Sequence, residues 1–164
     1  MKYLLLIIFI ASFSFGFITK SYIDKKQNIP FKKVTGLGGI FFKCKNPEEL
    51  KLWYTQHLGL NTDQWGTSFE WRQSDHPSIP GYTQWSPFSE KSTYFEGPMM
   101  MNYRVDNLDY LIKEFTRDSV IILDTISKFD YGRVLHIRDL EGNKIELWEP
   151  KDNEYHKIAS GITK

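Results

Sequence analysis

The sequence predicts an α+β fold of two βαβββ modules that form a curved mixed sheet around a shared cleft, with the helices on the convex face. Three observations carry this. A strand, a helix and further strands occur in that order twice, the two copies overlay when the chain is slid by 61 residues, and that shift sets Asn46, ahead of the first helical run, on Asn107, ahead of the second. With 164 residues, 41% hydrophobic and 16% aromatic, there is material for one core and too little chain for two ordinary domains.

The first module starts with the strand-like run GIFFKC, Gly39 to Cys44. Asn46 then offers an N-cap, Pro47 suits the first helical position, and Glu48 and Glu49 complement the helix dipole. Leu50, Trp53, Tyr54 and Leu58 recur at helical spacing, so Trp53 is expected to anchor the helix on its half-sheet, and Gly59 suits a C-cap. Strands follow at 68–73 and 81–86, around a loop with Pro77 and Pro80. The second module repeats the order: a strand over 100–105, a cap at Asp106 or Asn107, and Leu108, Leu111, Ile112 and Phe115 at helical spacing. Strands at 120–124, 133–138 and 144–148 complete it. The 61-residue shift sets Lys43 on Arg104, Cys44 on Val105, Asn46 on Asn107, Leu50 on Leu111 and Tyr54 on Phe115.

Outside this unit, residues 1–20 hold an apolar run from Tyr3 to Ile18 behind Lys2, which reads as a signal peptide or a membrane anchor. Ser14 and Gly16 suit a cleavage site, whereas Lys20, Lys25, Lys26, Lys32 and Lys33 resist translocation, so cleavage and anchoring both stay open. The expected location is exported, periplasmic or secreted, or membrane-anchored through this segment. Residues 21–33 read as a polar tether and 151–164 as a polar tail. Lys plus Arg number 21 against 20 for Asp plus Glu, which gives no field to attract nucleic acid. The one cysteine, Cys44, closes no intrachain disulfide.

The runs GGIFFK, PEELKLWYTQHLGL, YTQWSPF, MMMNYRVDNLDYLIKEF, YGR and RDLEGNKIELWEP together resemble the glyoxalase, bleomycin-resistance and extradiol-dioxygenase superfamily, also called vicinal oxygen chelate proteins. The likeness covers residues 34–150, as one glyoxalase-like domain. The superfamily includes lyases, isomerases, dioxygenases and drug-sequestering binders, so fold alone selects no chemistry. Its enzymes hold a divalent ion with ligands from the first and last strands of each half. The resemblance places these positions at Gly39, Gln84, Met100 and Glu146. Glycine offers no side chain and a thioether is a soft ligand, so no cofactor is expected. The alternative is a divalent metal ion on Gln84, His136 and Glu146.

Strand alternation then predicts the cleft face: Phe41 and Lys43, Glu70 and Arg72, Gln84, Met100 with Asn102 and Arg104, and Trp148 beside Glu146. A turn at Leu140 to Gly142 sets His136 across from Glu146, as either an acid/base couple or a cross-strand polar pair. Three functions compete: a small-molecule binder with its metal site largely lost; a metal-dependent glyoxalase-like lyase or isomerase, or a dioxygenase, with rearranged ligands; and a non-catalytic envelope interaction module. The expected partner is a small-molecule ligand. Membrane association through the N-terminal segment and homodimerisation are both open.

Overall fold

A computed structural model describes residues 33–159 and 161–163. The N-terminal apolar run and most of the tether lie outside the described residues. Eight strands form one mixed sheet in the order β5-β6-β7-β4-β1-β3-β2-β8. The first half uses β1 (Val34–Cys44), α1 (Pro47–Leu58), β2 (Thr67–Arg72) and β3 (Pro80–Ser89). The second uses β4 (Met99–Val105), α2 (Leu108–Arg117), β5 (Ser127–Phe129), β6 (Gly132–Arg138) and β7 (Lys144–Pro150). Antiparallel pairing of β1 with β4 joins the halves, while β1 with β3 and β4 with β7 pair in parallel.

The duplication shows at the caps. Asn46 and Asn107 are both extended N-caps whose side chains accept from the backbone N–H three residues on, and Glu49 and Tyr110 are the donors. The halves differ in what their helices bury. Under α2, Val105, Leu108, Leu111, Leu135, Ile137 and Leu147 form the main core on the sheet face away from the cleft. Fully burying each such side chain stabilises by about 1.5–3 kcal/mol. The only buried residue of α1 is Lys51, at the position where α2 has Ile112. Its ammonium donates to the carbonyls of Asp63 (3.1 Å) and Gln64 (3.0 Å) and pairs with Glu48. Trp53, expected as the anchor of α1, is 49% exposed and lies against Tyr54 and His57. Tyr54 instead meets the sheet, at Trp85.

Two further expectations change. The strand read at 120–124 reduces to one bridge, Ile122 to Ile137, and β5 takes the sheet edge. The ladder ends there because the Asp124 carboxylate, rather than a carbonyl, accepts the His136 N–H (2.9 Å). Beyond Pro150 the chain forms more than a tail: α3 (Asp152–Ile158) lies on the cleft side, and β8 (Ile162–Thr163) pairs in parallel with β2. β8 thereby fills the edge place that β5 fills in the second half.

These differences predict unequal sensitivity. Leu111→Ala is expected to cost about 2–5 kcal/mol in urea unfolding. Trp53→Ala is expected to cost about 1 kcal/mol or less, since it removes a half-exposed ring contact. A larger loss at Trp53 would mean that α1 packs more tightly than this arrangement allows.

Candidate functional site

A cavity of about 600 Å³ opens on the cleft side of the sheet. Its walls carry Phe41, Trp65, Phe88, Tyr94, Trp148 and Tyr155, and its floor carries Asn102 and Glu146. Register creates the floor: β4 sets Asn102 beside Glu146 on β7, and β6 sets His136 beside Glu146 from the other side. The odd positions of β7, Ile145 and Leu147, point into the α2 core.

Glu146 is 4% exposed and accepts three hydrogen bonds. Asn102 Nδ2 donates to Oε1 (2.5 Å), while His136 Nε2 (3.0 Å) and the Tyr94 hydroxyl both donate to Oε2. His136 Nδ1 faces Asp124 Oδ2 at 2.6 Å, so the imidazole bridges two carboxylates. Burial works against the charged ring, but the hydrogen bonds to Glu146 and Asp124 outweigh it, so the His136 pKa lies above the ordinary histidine value. Burial, reinforced by the Glu146 charge, holds the Tyr94 phenol well above its usual range and keeps it a donor. The Asp124 side chain is 41% exposed, so the chain Asp124, His136, Glu146 runs from solvent to the cavity floor.

The opposite wall is a second polar network. Gln84 Oε1 accepts from Ser68 (2.6 Å) and Tyr155 (3.1 Å), and its Nε2 donates to the Trp65 carbonyl (3.2 Å). Ser86 Oγ donates to the same carbonyl (2.5 Å). Tyr155 comes from α3, whose place on the cleft is fixed at one end by Asp152. That residue takes both terminal nitrogens of the buried Arg104 at 2.6 and 2.9 Å.

Of the residues expected on the cleft face, Phe41, Gln84, Asn102, Glu146 and Trp148 line the cavity. Met100 does not: it is buried with Phe41 and Phe95, because the loop between β3 and β4 folds Phe95 over it. Arg104 is consumed by Asp152, Lys43 lies over the Phe95 ring, and Glu70 pairs with Arg72. None of those four lines the cavity. His136 stands behind Glu146. Arg133 is bound by Glu149 and Asp109.

Gly39 is absent from the lining, and a Cβ there would meet the Phe41 ring at 2.7 Å. Its neighbour Gly38 is an extra residue in the β1/β4 ladder, where a Cβ would fall 2.0 Å from Asn102 Oδ1. The counterpart of Glu146 is also displaced from the expected Gln84. Glu146 pairs with Asn102, whose equivalent under the 61-residue shift is Phe41, and Phe41 pairs with Ser86. Among the described residues no group of three or more His, Cys, Asp or Glu side chains is placed to hold a metal ion. Tyr94, Asp124, Tyr155 and Trp65 were not anticipated as parts of this site.

This architecture, two βαβββ modules in one curved mixed sheet, is consistent with the fold that the sequence resemblance implies. Solved structures similar to the chain include methylmalonyl-CoA epimerases, and the likeness shows fold alone. The enzyme from Mycobacterium tuberculosis is 21% identical, with TM-score 0.52 over 74% of this chain and 92% of that one. The Streptomyces coelicolor enzyme, as a single-residue variant in complex with 2-nitronate-propionyl-CoA, is 15% identical, with TM-score 0.55 over 72% and 99%. A complex with methylmalonyl-CoA and NH4+ is 14% identical, with TM-score 0.56 over 74% and 98%. No family model and no curated protein sequence matches the chain.

The His136 linkage has a definite sign. A folded pKa above the unfolded value near 6.5 gives stability that is fully present below that value and is lost as pH rises through the folded pKa. An NMR titration is expected to place the His136 imidazole above 6.5, and Asp124→Asn is expected to lower it and flatten the alkaline loss of stability. An unchanged titration in the variant would refute the bridge.

Proposed function

We propose that the protein binds a small organic molecule in the cleft, outside the cytoplasm, without the metal chemistry of the superfamily's enzymes. The observation that carries this is the cavity itself: about 600 Å³, within the usual range for small-molecule sites, with aromatic walls and a few polar groups on its floor. An open cavity of this size also weighs against an interaction module with a vestigial cleft.

The donor set does not fit a metal-dependent lyase or dioxygenase. His136 presents both ring nitrogens to carboxylates, Glu146 already accepts three hydrogen bonds, and Gln84 Oε1 is held by Ser68 and Tyr155. Ligation by His136 would have to break its Nε2 contact with Glu146, and ligation by Gln84 Oε1 would compete with Ser68 and Tyr155, while the Asp124 contact on Nδ1 could stay. The acyl-CoA ligands named for the structural neighbours carry several negative charges. The lining here includes no Lys, Arg or His among the described residues, so an acyl-CoA is a poor match. A second reading, metal-independent proton transfer, is favoured by one feature, the Asp124, His136, Glu146 chain between solvent and cavity.

A screen of small aromatic compounds by calorimetry, on protein purified without chelator, is expected to yield ligands that bind the wild type. Ala159→Trp, placed at the cavity wall, is expected to block them. Near-stoichiometric nickel, zinc, iron or manganese in that preparation, or undiminished binding by Ala159→Trp, would overturn the reading. Export rests on the apolar run at Tyr3 to Ile18. A C-terminally tagged full chain expressed in a bacterium is expected in the periplasmic or membrane fraction, and recovery from cytosol with an intact amino terminus would refute it.

A further inference from the structure

The cavity's charge is one-sided. Seven aromatic side chains stand among its lining residues, the titratable carboxylates there are Glu146 and Asp63, and the lining has no cationic side chain among the described residues. The neighbouring cations are committed elsewhere: Arg104 to Asp152, Lys51 to Glu48 and two carbonyls, and Lys144 to the Tyr94 carbonyl. Behind the floor, one imidazole stands between the carboxylates of Asp124 and Glu146, and the Lys144 ammonium lies over the Tyr94 ring, so the charges that face the cavity from its lining are the carboxylates of Glu146 and Asp63. A carboxylate has about four lone-pair sites. Three of those on Glu146 are used, one on Oε1 and two on Oε2, which leaves one acceptor site on Oε1 of a residue that lines the cavity.

The mouth shows a second asymmetry. Trp65 is 69% exposed, yet its loop is fastened on both sides. Lys51 holds the carbonyls of Asp63 and Gln64, and Gln84 and Ser86 hold the carbonyl of Trp65 itself. The result is an indole on a fixed main chain at the cavity edge, largely uncovered by the described residues. A flat aromatic face of this kind attracts both apolar rings and cations.

We propose that the cavity takes a small organic cation, an amine or ammonium on a flat apolar body, with the cationic group at Glu146 and the body between the aromatic walls and Trp65. This rests on the small-molecule reading above and narrows it. Three probes that share a 2-naphthylmethyl body test it by calorimetry on the full chain at pH 7: 2-naphthylmethylammonium, 2-naphthylmethanol and the carboxylate 2-naphthaleneacetate. The ammonium is expected to bind at least tenfold tighter than the alcohol, and the acetate more weakly than the alcohol. Glu146→Gln is expected to erase the gap between ammonium and alcohol. Trp65→Ala, at an exposed side chain, is expected to weaken all three probes severalfold without changing their order.

Equal or tighter binding of the alcohol or the acetate by the wild type overturns the cation proposal and leaves small-molecule binding standing. Binding of none of the three also overturns it. The ranking on the wild type decides even if Glu146→Gln does not fold. Failure of Ala159→Trp to block any ligand sinks the broader reading instead.

Discussion

A carboxylate removed from water costs several kcal/mol unless its oxygens are met by donors, and Glu146 is almost wholly removed from water. Much of the cleft is arranged around that requirement. Asn102 arrives from β4, His136 from β6 and Tyr94 from the loop between β3 and β4, and Asp124 then balances the imidazole from behind. Each partner depends on register. A one-residue slip of β7 would turn Glu146 into the Leu111 and Leu135 core and bring Ile145 or Leu147 into the cavity. The buried charge and the apolar core therefore select the same pairing from opposite faces of one strand.

With the charge and the larger core both placed in the second half, the first half is left to shape the entrance. Its helix is thinly packed and its one buried side chain is a lysine. That lysine is spent on backbone carbonyls of the loop that presents Trp65, a use for which the isoleucine at the equivalent position of α2 has no counterpart. The edge strand missing from the first half is supplied by β8, so the C-terminal segment closes the sheet and also delivers Tyr155 to Gln84. The halves share N-caps and topology while one provides the floor and the other the mouth.

The parts of this design that were legible in the sequence are those with short-range signals. Asn46 and Asn107 announce their helices because capping involves only the next few residues, and the hairpin turn at Leu140 to Gly142 places His136 beside Glu146 because a tight turn fixes register. Alternation identified a face but not a height on it or a neighbour. Lys43, Glu70, Arg72 and Arg104 were accordingly assigned to the cleft although Phe95, each other or Asp152 occupy them. Gly39 and Met100 failed for a related reason. The extra residue at Gly38 shows only in the pairing with β4, and Phe95 folds over Met100 from a loop, so no strand period reports either. Tyr94, Asp124 and Tyr155 meet the site from 52, 12 and 71 residues away along the chain, out of loops and a short helix without periodic pattern.

The saturation of Glu146 also limits what it contributes to binding. With one acceptor site left, a ligand gains at most one charge-assisted hydrogen bond at the floor, on the order of 1.5–3 kcal/mol. Most of the affinity must then come from apolar area laid against the aromatic walls, which by itself discriminates weakly among flat molecules. The carboxylate acts on the difference between ligands instead: an anion would meet the Glu146 carboxylate with no cation among the described lining residues to offset it, and a neutral body without a donor would leave the remaining acceptor site unmet. In such a site the walls determine how tightly a ligand is held, and the buried glutamate determines which ligand is admitted.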